Sequence, residues 1–133
     1  MEYKLNAELS GELEPYRSAI EATIKASVKI QLADNSQPKL WQSKFGGLPY
    51  IPQSFEYPQS ISGSYLYLLA QINFAEVPYL EGLPDKGILQ FYLANDNMYG
   101  CDLKDPSKQD KFRILYFPEV SFWKIQNTKF ILF

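Results

Sequence analysis

The stretch Tyr65-Leu66-Tyr67-Leu68-Leu69-Ala70-Gln71-Ile72-Asn73-Phe74 decides the fold. It is too short for a membrane helix, which needs about 20 apolar residues. Its even-numbered positions run Leu66, Leu68, Ala70, Ile72 and Phe74, and its odd ones Tyr65, Tyr67, Leu69, Gln71 and Asn73. Successive strand side chains point to opposite faces, so this reads as a strand with two unlike faces. Ser62-Gly63-Ser64 is the turn that leads into it.

Working outward, Gly87 to Ala94 reads as a second strand, with Ile88, Gln90, Tyr92 and Ala94 on one face. Lys111 to Phe117 reads as a third, stopped by Pro118, which cannot donate to a ladder. Val120 to Trp123 and Thr128 to Phe133 read as further strands. Upstream, Ser27 to Leu32 alternate, with Val28, Ile30 and Leu32 on one face. Residues 8 to 26 read as an amphipathic helix, from Leu13, Ile20 and Ile24 at helical spacing with Ala19, Ala22 and Ala26 beside them. Ser10 is its expected N-cap, and Pro15 must then lie in the first turn. Between helix and central strand, residues 41 to 64 form a long connection with Pro49, Pro52, Pro58 and the Gly46-Gly47 pair. Its apolar content (Trp41, Phe45, Leu48, Tyr50, Ile51, Phe55) implies short packed pieces. The expected class is α+β: an N-terminal amphipathic helix, a predominantly antiparallel sheet and a long packed loop. One domain over residues 1–133 is the default at this length.

Composition excludes several functions. The formal net charge is −2 with no basic block, which disfavours nucleic-acid binding. The N-terminus lacks the apolar stretch of a secretory signal, so the expected setting is soluble and cytoplasmic, with no membrane association. There is no histidine, which removes Ser-His-Asp and Cys-His catalysis and the usual zinc sites. The single cysteine, Cys101, cannot close an internal disulfide and is expected as a packed or half-buried structural residue. No residue pattern marks a catalytic group, a metal site or a cofactor. The acidic loop from Asn95 to Asp105 fails the calcium-loop pattern, because counting from Asp96 puts Cys101 at position six and Ser107 at position twelve.

Two constellations are left as candidate sites. In Ser43-Lys44-Phe45-Gly46-Gly47, the glycines permit close backbone approach, and adjacent N–H groups beside Lys44 would suit a phosphate or carboxylate. The competing reading is a tight turn anchored by Trp41, Phe45 and Leu48. If the two central strands pair, Gln71 or Asn73 lies near Gln90 and Tyr92, where amides and a phenol could orient a polar ligand. The competing reading is a buried hydrogen-bond network that fixes register. The ligand-binding candidates are therefore Lys44, Gly46, Gly47, Gln71, Asn73, Gln90 and Tyr92.

The segments Trp41–Pro52 ("WQSKFGGLPYIP") and Leu68–Pro78 ("LLAQINFAEVP"), followed by Gly87–Tyr92, Met98–Asp102 and Phe112–Tyr116, resemble the YwqG-like family, a bacterial domain of unknown function. The resemblance runs along roughly residues 20 to 120 and is weaker from Glu119 onward. It implies an α+β fold of antiparallel-rich sheets in proteins about twice as long. On that basis the chain corresponds to an N-terminal half, whether as a short variant, half of a split protein or a truncated product. A half-length copy leaves a sheet edge or an apolar face uncovered, so a protein partner or self-association is expected. A weak association of the family with toxin–immunity gene clusters points the same way. The leading expectation is a non-enzymatic protein–protein interaction domain. The alternative is a small-ligand module, or an enzyme of unknown type, built on Lys44, Gly46 and Gly47.

Overall fold

A computed structural model describes residues 2–34 and 37–121. The chain divides into two compact units, Met1–Gln31 and Leu32–Phe133.

In the first unit, the helix expected over 8 to 26 is much shorter. A 3₁₀ turn at Glu14–Tyr16, with Pro15 in its first turn, runs into a five-residue helix α1, Arg17–Glu21. No side chain caps either element, and neither buries a residue. Short helices are held by packing more than by propensity, so apolar spacing alone did not extend this one. At its end, Thr23 Oγ1 donates to the Ile20 carbonyl at 2.7 Å, a local bond that competes with helical continuation. Arg17 organises the unit. Its Nε donates to Glu14 Oε1 and its terminal nitrogens donate to the Leu5 and Ala7 carbonyls, while Glu21 Oε1 accepts from the Leu5 N–H. The strand expected over Ser27 to Leu32 is absent: these residues pair with no ladder, and the division between the units falls inside the segment.

The second unit is an antiparallel sheet of four strands among the described residues, in the order β1 (Lys44–Phe45), β2 (Tyr67–Asn73), β3 (Ile88–Leu93) and β4 (Phe112–Phe117). The fold is α+β. The three longer strands lie where the alternation puts them. The two-residue β1, inside the long connection, was not expected. The strands read over 120–123 and 128–133 fall outside the described residues, apart from Val120 and Ser121, which are in no strand.

The register corrects the expected faces of β2. Leu68 pairs with Tyr92 and Ala70 with Phe91, so Leu69 is an extra, unpaired residue, a β-bulge. The bulge shifts the alternation by one. Leu68, Gln71 and Asn73 therefore share the buried face, while Ala70 and Ile72 share the other. Directly opposed residues lie on one face. One sheet face thus carries Leu68, Gln71 and Asn73, then Ile88, Gln90 and Tyr92, then Arg113, Leu115 and Phe117.

The long connection covers that face. Ile51, Leu66, Leu68 and Tyr92 form the core, with Phe55, Tyr57, Ala94 and Leu115 against it. The aromatic rings meet edge-to-face: Phe55 and Tyr50 on Phe117, and Tyr57 on Tyr92, at centroid distances of 5.1, 5.7 and 5.8 Å. Such pairs add about 0.5–1.5 kcal/mol each beyond the area they bury. Gly87 is demanded by close approach. It has φ +94°, and a Cβ there would lie 2.6 Å from the Phe117 carbonyl oxygen.

Candidate functional site

The buried polar centre of the sheet is built by three side chains. Gln71 and Gln90 face each other across β2 and β3, and Gln90 Nε2 donates to Gln71 Oε1 at 2.8 Å. Gln71 Oε1 also accepts from the Tyr50 N–H at 2.8 Å, and its Nε2 donates to the Leu40 and Gln42 carbonyls. Gln90 Nε2 makes a second bond, to the Tyr50 carbonyl at 2.6 Å, and Gln90 Oε1 accepts from Tyr92 Oη at 2.9 Å. Burial raises the Tyr92 phenol well above its ordinary pKa, so it acts here as a neutral donor. Both N–H groups of each amide and every oxygen are engaged within the chain. A primary amide offers two donors and an acceptor oxygen, so this centre has little capacity left for a polar ligand.

Asn73, though on the same face, is not part of that cluster. Its Nδ2 donates to the Trp41 carbonyl, its backbone N–H to Ser43 Oγ, and its Oδ1 accepts from the Ala75 N–H, where it caps a 3₁₀ turn at Phe74–Glu76. Of the two amides offered as neighbours of Gln90 and Tyr92, Gln71 joins them and Asn73 is a separate loop tether. Both do one job: they hold the backbone of residues 40 to 43 and Tyr50 against the sheet.

Lys44 lies opposite Gln71 in the ladder, on the edge strand. Its Nζ donates to the Lys39 and Leu48 carbonyls, each at 2.8 Å. Half-burial pushes its pKa down to about 8, against the opposing influence of Glu76. Glu76 Oε2 in turn accepts from the Ser43 N–H at 2.7 Å. Gly46 and Gly47 both take left-handed backbone angles, φ +65° and +72°, and the Gly46 N–H donates to the Leu69 carbonyl at the bulge. The Gly46 N–H is thus engaged in the sheet rather than free to face a ligand.

The acidic loop is a set of local caps. Asp96 Oδ1 accepts from the Met98 and Gly100 N–H groups, and Asp102 Oδ1 from those of Lys104 and Asp105. These bonds hold both carboxyls below the usual carboxylate range. Among the described residues, no group of three acidic or thiol side chains is placed to hold a metal ion. Cys101 is exposed in this loop rather than packed. It follows Tyr99 and Gly100, both in left-handed conformation.

The site that sequence reading missed is the other face of the sheet. It carries Phe45 from β1, Tyr67, Ala70 and Ile72 from β2, Leu89, Phe91 and Leu93 from β3, and Phe112, Ile114 and Tyr116 from β4. Every position is apolar or aromatic. Phe45 is 61% exposed, Ile114 46% and Tyr116 41%, and Leu69 at the bulge is 45% exposed. Antiparallel sheets with one wet face normally place polar residues on it. The signal was in the sequence: Leu89-Phe91-Leu93 and Phe112-Ile114-Tyr116 alternate with residues that are themselves needed in the core.

The sequence profile of the family described as Domain of unknown function (DUF1963) matches residues 43–132. The chain belongs to that family. The matched region contains the four described strands, the Gln71–Gln90–Tyr92 triad and Lys44. No curated protein matches the chain. No helix among the described residues is long and apolar enough to cross a membrane.

Proposed function

We propose that this domain works by protein–protein contact, without catalysis, and that the contact surface is the apolar outer face of the sheet. The observation that carries the reading is a sheet face with no charged residue among the described residues and with Phe45, Ile114 and Tyr116 open to solvent. Apolar patches of several hundred Å2 on a folded domain mark interaction sites. The same reading takes up the narrower YwqG-like grouping, a bacterial source, a soluble cytoplasmic setting and an immunity-like role, as the sequence motifs imply.

The alternative, a small ligand on Lys44, Gly46 and Gly47 with the strand amides behind them, has the hydrogen bonding against it. Two of the three Lys44 Nζ donors are already held by the Lys39 and Leu48 carbonyls, which leaves one for a ligand. A thermal-shift screen of anionic and neutral metabolites separates the two readings, since a ligand that binds the folded state raises the melting temperature. No shift is expected with the wild-type chain, together with a bound protein that Ile114→Glu loses and Lys44→Met keeps. A metabolite shift abolished by Lys44→Met would replace the contact reading with the ligand one.

A further inference from the structure

We propose that Lys44 is a modification site: its amine takes an acyl group from an activated acyl donor, and the amide so formed opens a clasp on residues 39 to 48. The proposal goes beyond the contact reading and does not depend on it.

Three observations lead to it. First, the amine is the clasp. Lys44 lies in the edge strand β1, and its Nζ holds the Lys39 and Leu48 carbonyls, each at 2.8 Å, in solvent-exposed bonds. Those carbonyls bracket the loop that carries the Gly46-Gly47 turn. An ammonium has three N–H donors, a neutral amine two and a secondary amide one. Acylated Lys44 therefore keeps one of the two carbonyls at most.

Second, the third position on the nitrogen has no partner among the described residues. Loss of one proton then breaks neither bond, and the lone pair takes the direction that no group of the chain fills. A neutral lysine amine is a nucleophile. Half-burial favours that neutral form and brings the Lys44 pKa down to about 8. Glu76 is the charged neighbour that opposes this, but its Oε2 accepts from the Ser43 N–H at 2.7 Å. The Lys39 ammonium is placed over the Trp41 ring, 5.4 Å from its centroid.

Third, other lysines of the same unit are held as cations. Lys86 and Lys108 pair with Glu119 and Asp110 at 2.7 and 2.8 Å, which raises both above the ordinary lysine range. An acyl donor thus meets a readier nucleophile at Lys44. Its Nζ attacks the acyl carbon and a C–N bond forms. The bond from that carbon to a phosphate oxygen or a thiolate sulfur breaks, the leaving group departs with the electron pair, and the amine proton passes to water.

The test is acetylation of the purified chain by acetyl phosphate and by a small acetyl thioester. Peptide mass spectrometry reads the initial rate at each lysine from about pH 7 to about pH 10. At about pH 7.5, Lys44 is expected to lead Lys86 and Lys108 by at least about tenfold, and its rate to level off above about pH 8 while theirs keep rising. The donor that gives the larger lead names the donor class. A second readout is the Gln42 N–H, which donates to the Lys39 carbonyl at 3.0 Å. Its hydrogen exchange is expected to quicken severalfold on acetylation of wild type. It should not change in Lys44→Arg treated alike, which keeps the charge and the donors. A Lys44 rate no faster than those of Lys86 and Lys108 with either donor, or one still rising at about pH 9.5, would overturn the site. Unchanged Gln42 exchange in the Lys44-acetylated chain would overturn the clasp.

Discussion

Gln71 shows at the scale of one residue how this domain is held. Replacing it with leucine keeps the volume but removes the partner of the buried Tyr50 N–H and one buried Gln90 N–H, and of the part-buried Leu40 and Gln42 carbonyls. Stranded buried groups cost about 1–3 kcal/mol each before relaxation, so Gln71→Leu is expected to lose about 3 kcal/mol in urea unfolding. A loss below about 0.5 kcal/mol would show that the network is dispensable. The glycines separate space from backbone angle. Gly100 has φ +77° and a Cβ there would lie 2.5 Å from the Lys111 carbonyl oxygen, whereas Gly46, at φ +65°, faces open space. Gly46→Ala should cost about 1 kcal/mol for the angle, and Gly100→Ala clearly more, measured by the same unfolding curves. Lys44 carries a pH signature. Its folded pKa of about 8 lies below the ordinary 10.5, so between those values the unfolded chain binds more protons than the folded one. Stability from this group therefore rises with pH across that window, and the cost of burying the charge is fully present below it. Comparing urea midpoints at about pH 7.5 and about pH 9.5, wild type should gain on Lys44→Met, and an unchanged difference would contradict the assignment.

At the scale of elements, what could be read from sequence depended on whether periodicity met a partner. β2, β3 and β4 were legible because their alternation reflects real faces, and Gln71 and Gln90 stood out as amides inside apolar runs. The helix over 8 to 26 and the strand over 27 to 32 had the same kind of periodicity, but neither buries a residue fully, so the pattern had nothing to act against. β1 was invisible because two residues carry no period. The bulge at Leu69 was invisible for another reason: neither glycine nor proline marks it, and it moved Gln71 and Asn73 to the core face that simple alternation had given to Ala70 and Ile72. Deleting Leu69 should close the ladder between Leu68 and Ala70 and keep Gln71 opposite Gln90, at the cost of the Gly46 N–H bond to the Leu69 carbonyl. Amide hydrogen exchange should then find the Tyr50 N–H still protected. Loss of that protection would mean the bulge sets the register rather than interrupting it.

At the scale of the whole molecule, the sheet of the second unit has two unlike faces among the described residues. One sheet face is covered by the aromatic connection and its amide tethers, and the other carries only apolar and aromatic side chains among the described residues, with Ile114 and Tyr116 exposed. Family membership and fold leave the activity open, since function lives in sites rather than in folds. Here Lys44 Nζ and the Gly46 N–H hold backbone carbonyls of the chain, and the outer face of the sheet is apolar among the described residues. The most direct measurement is site-specific photo-crosslinking in living cells, with the reactive residue placed at Ile114 or, as control, at Leu103. The account expects a discrete protein adduct from Ile114 and none from Leu103. Equal labelling from both positions, or no protein adduct from Ile114, would contradict a contact face on this sheet.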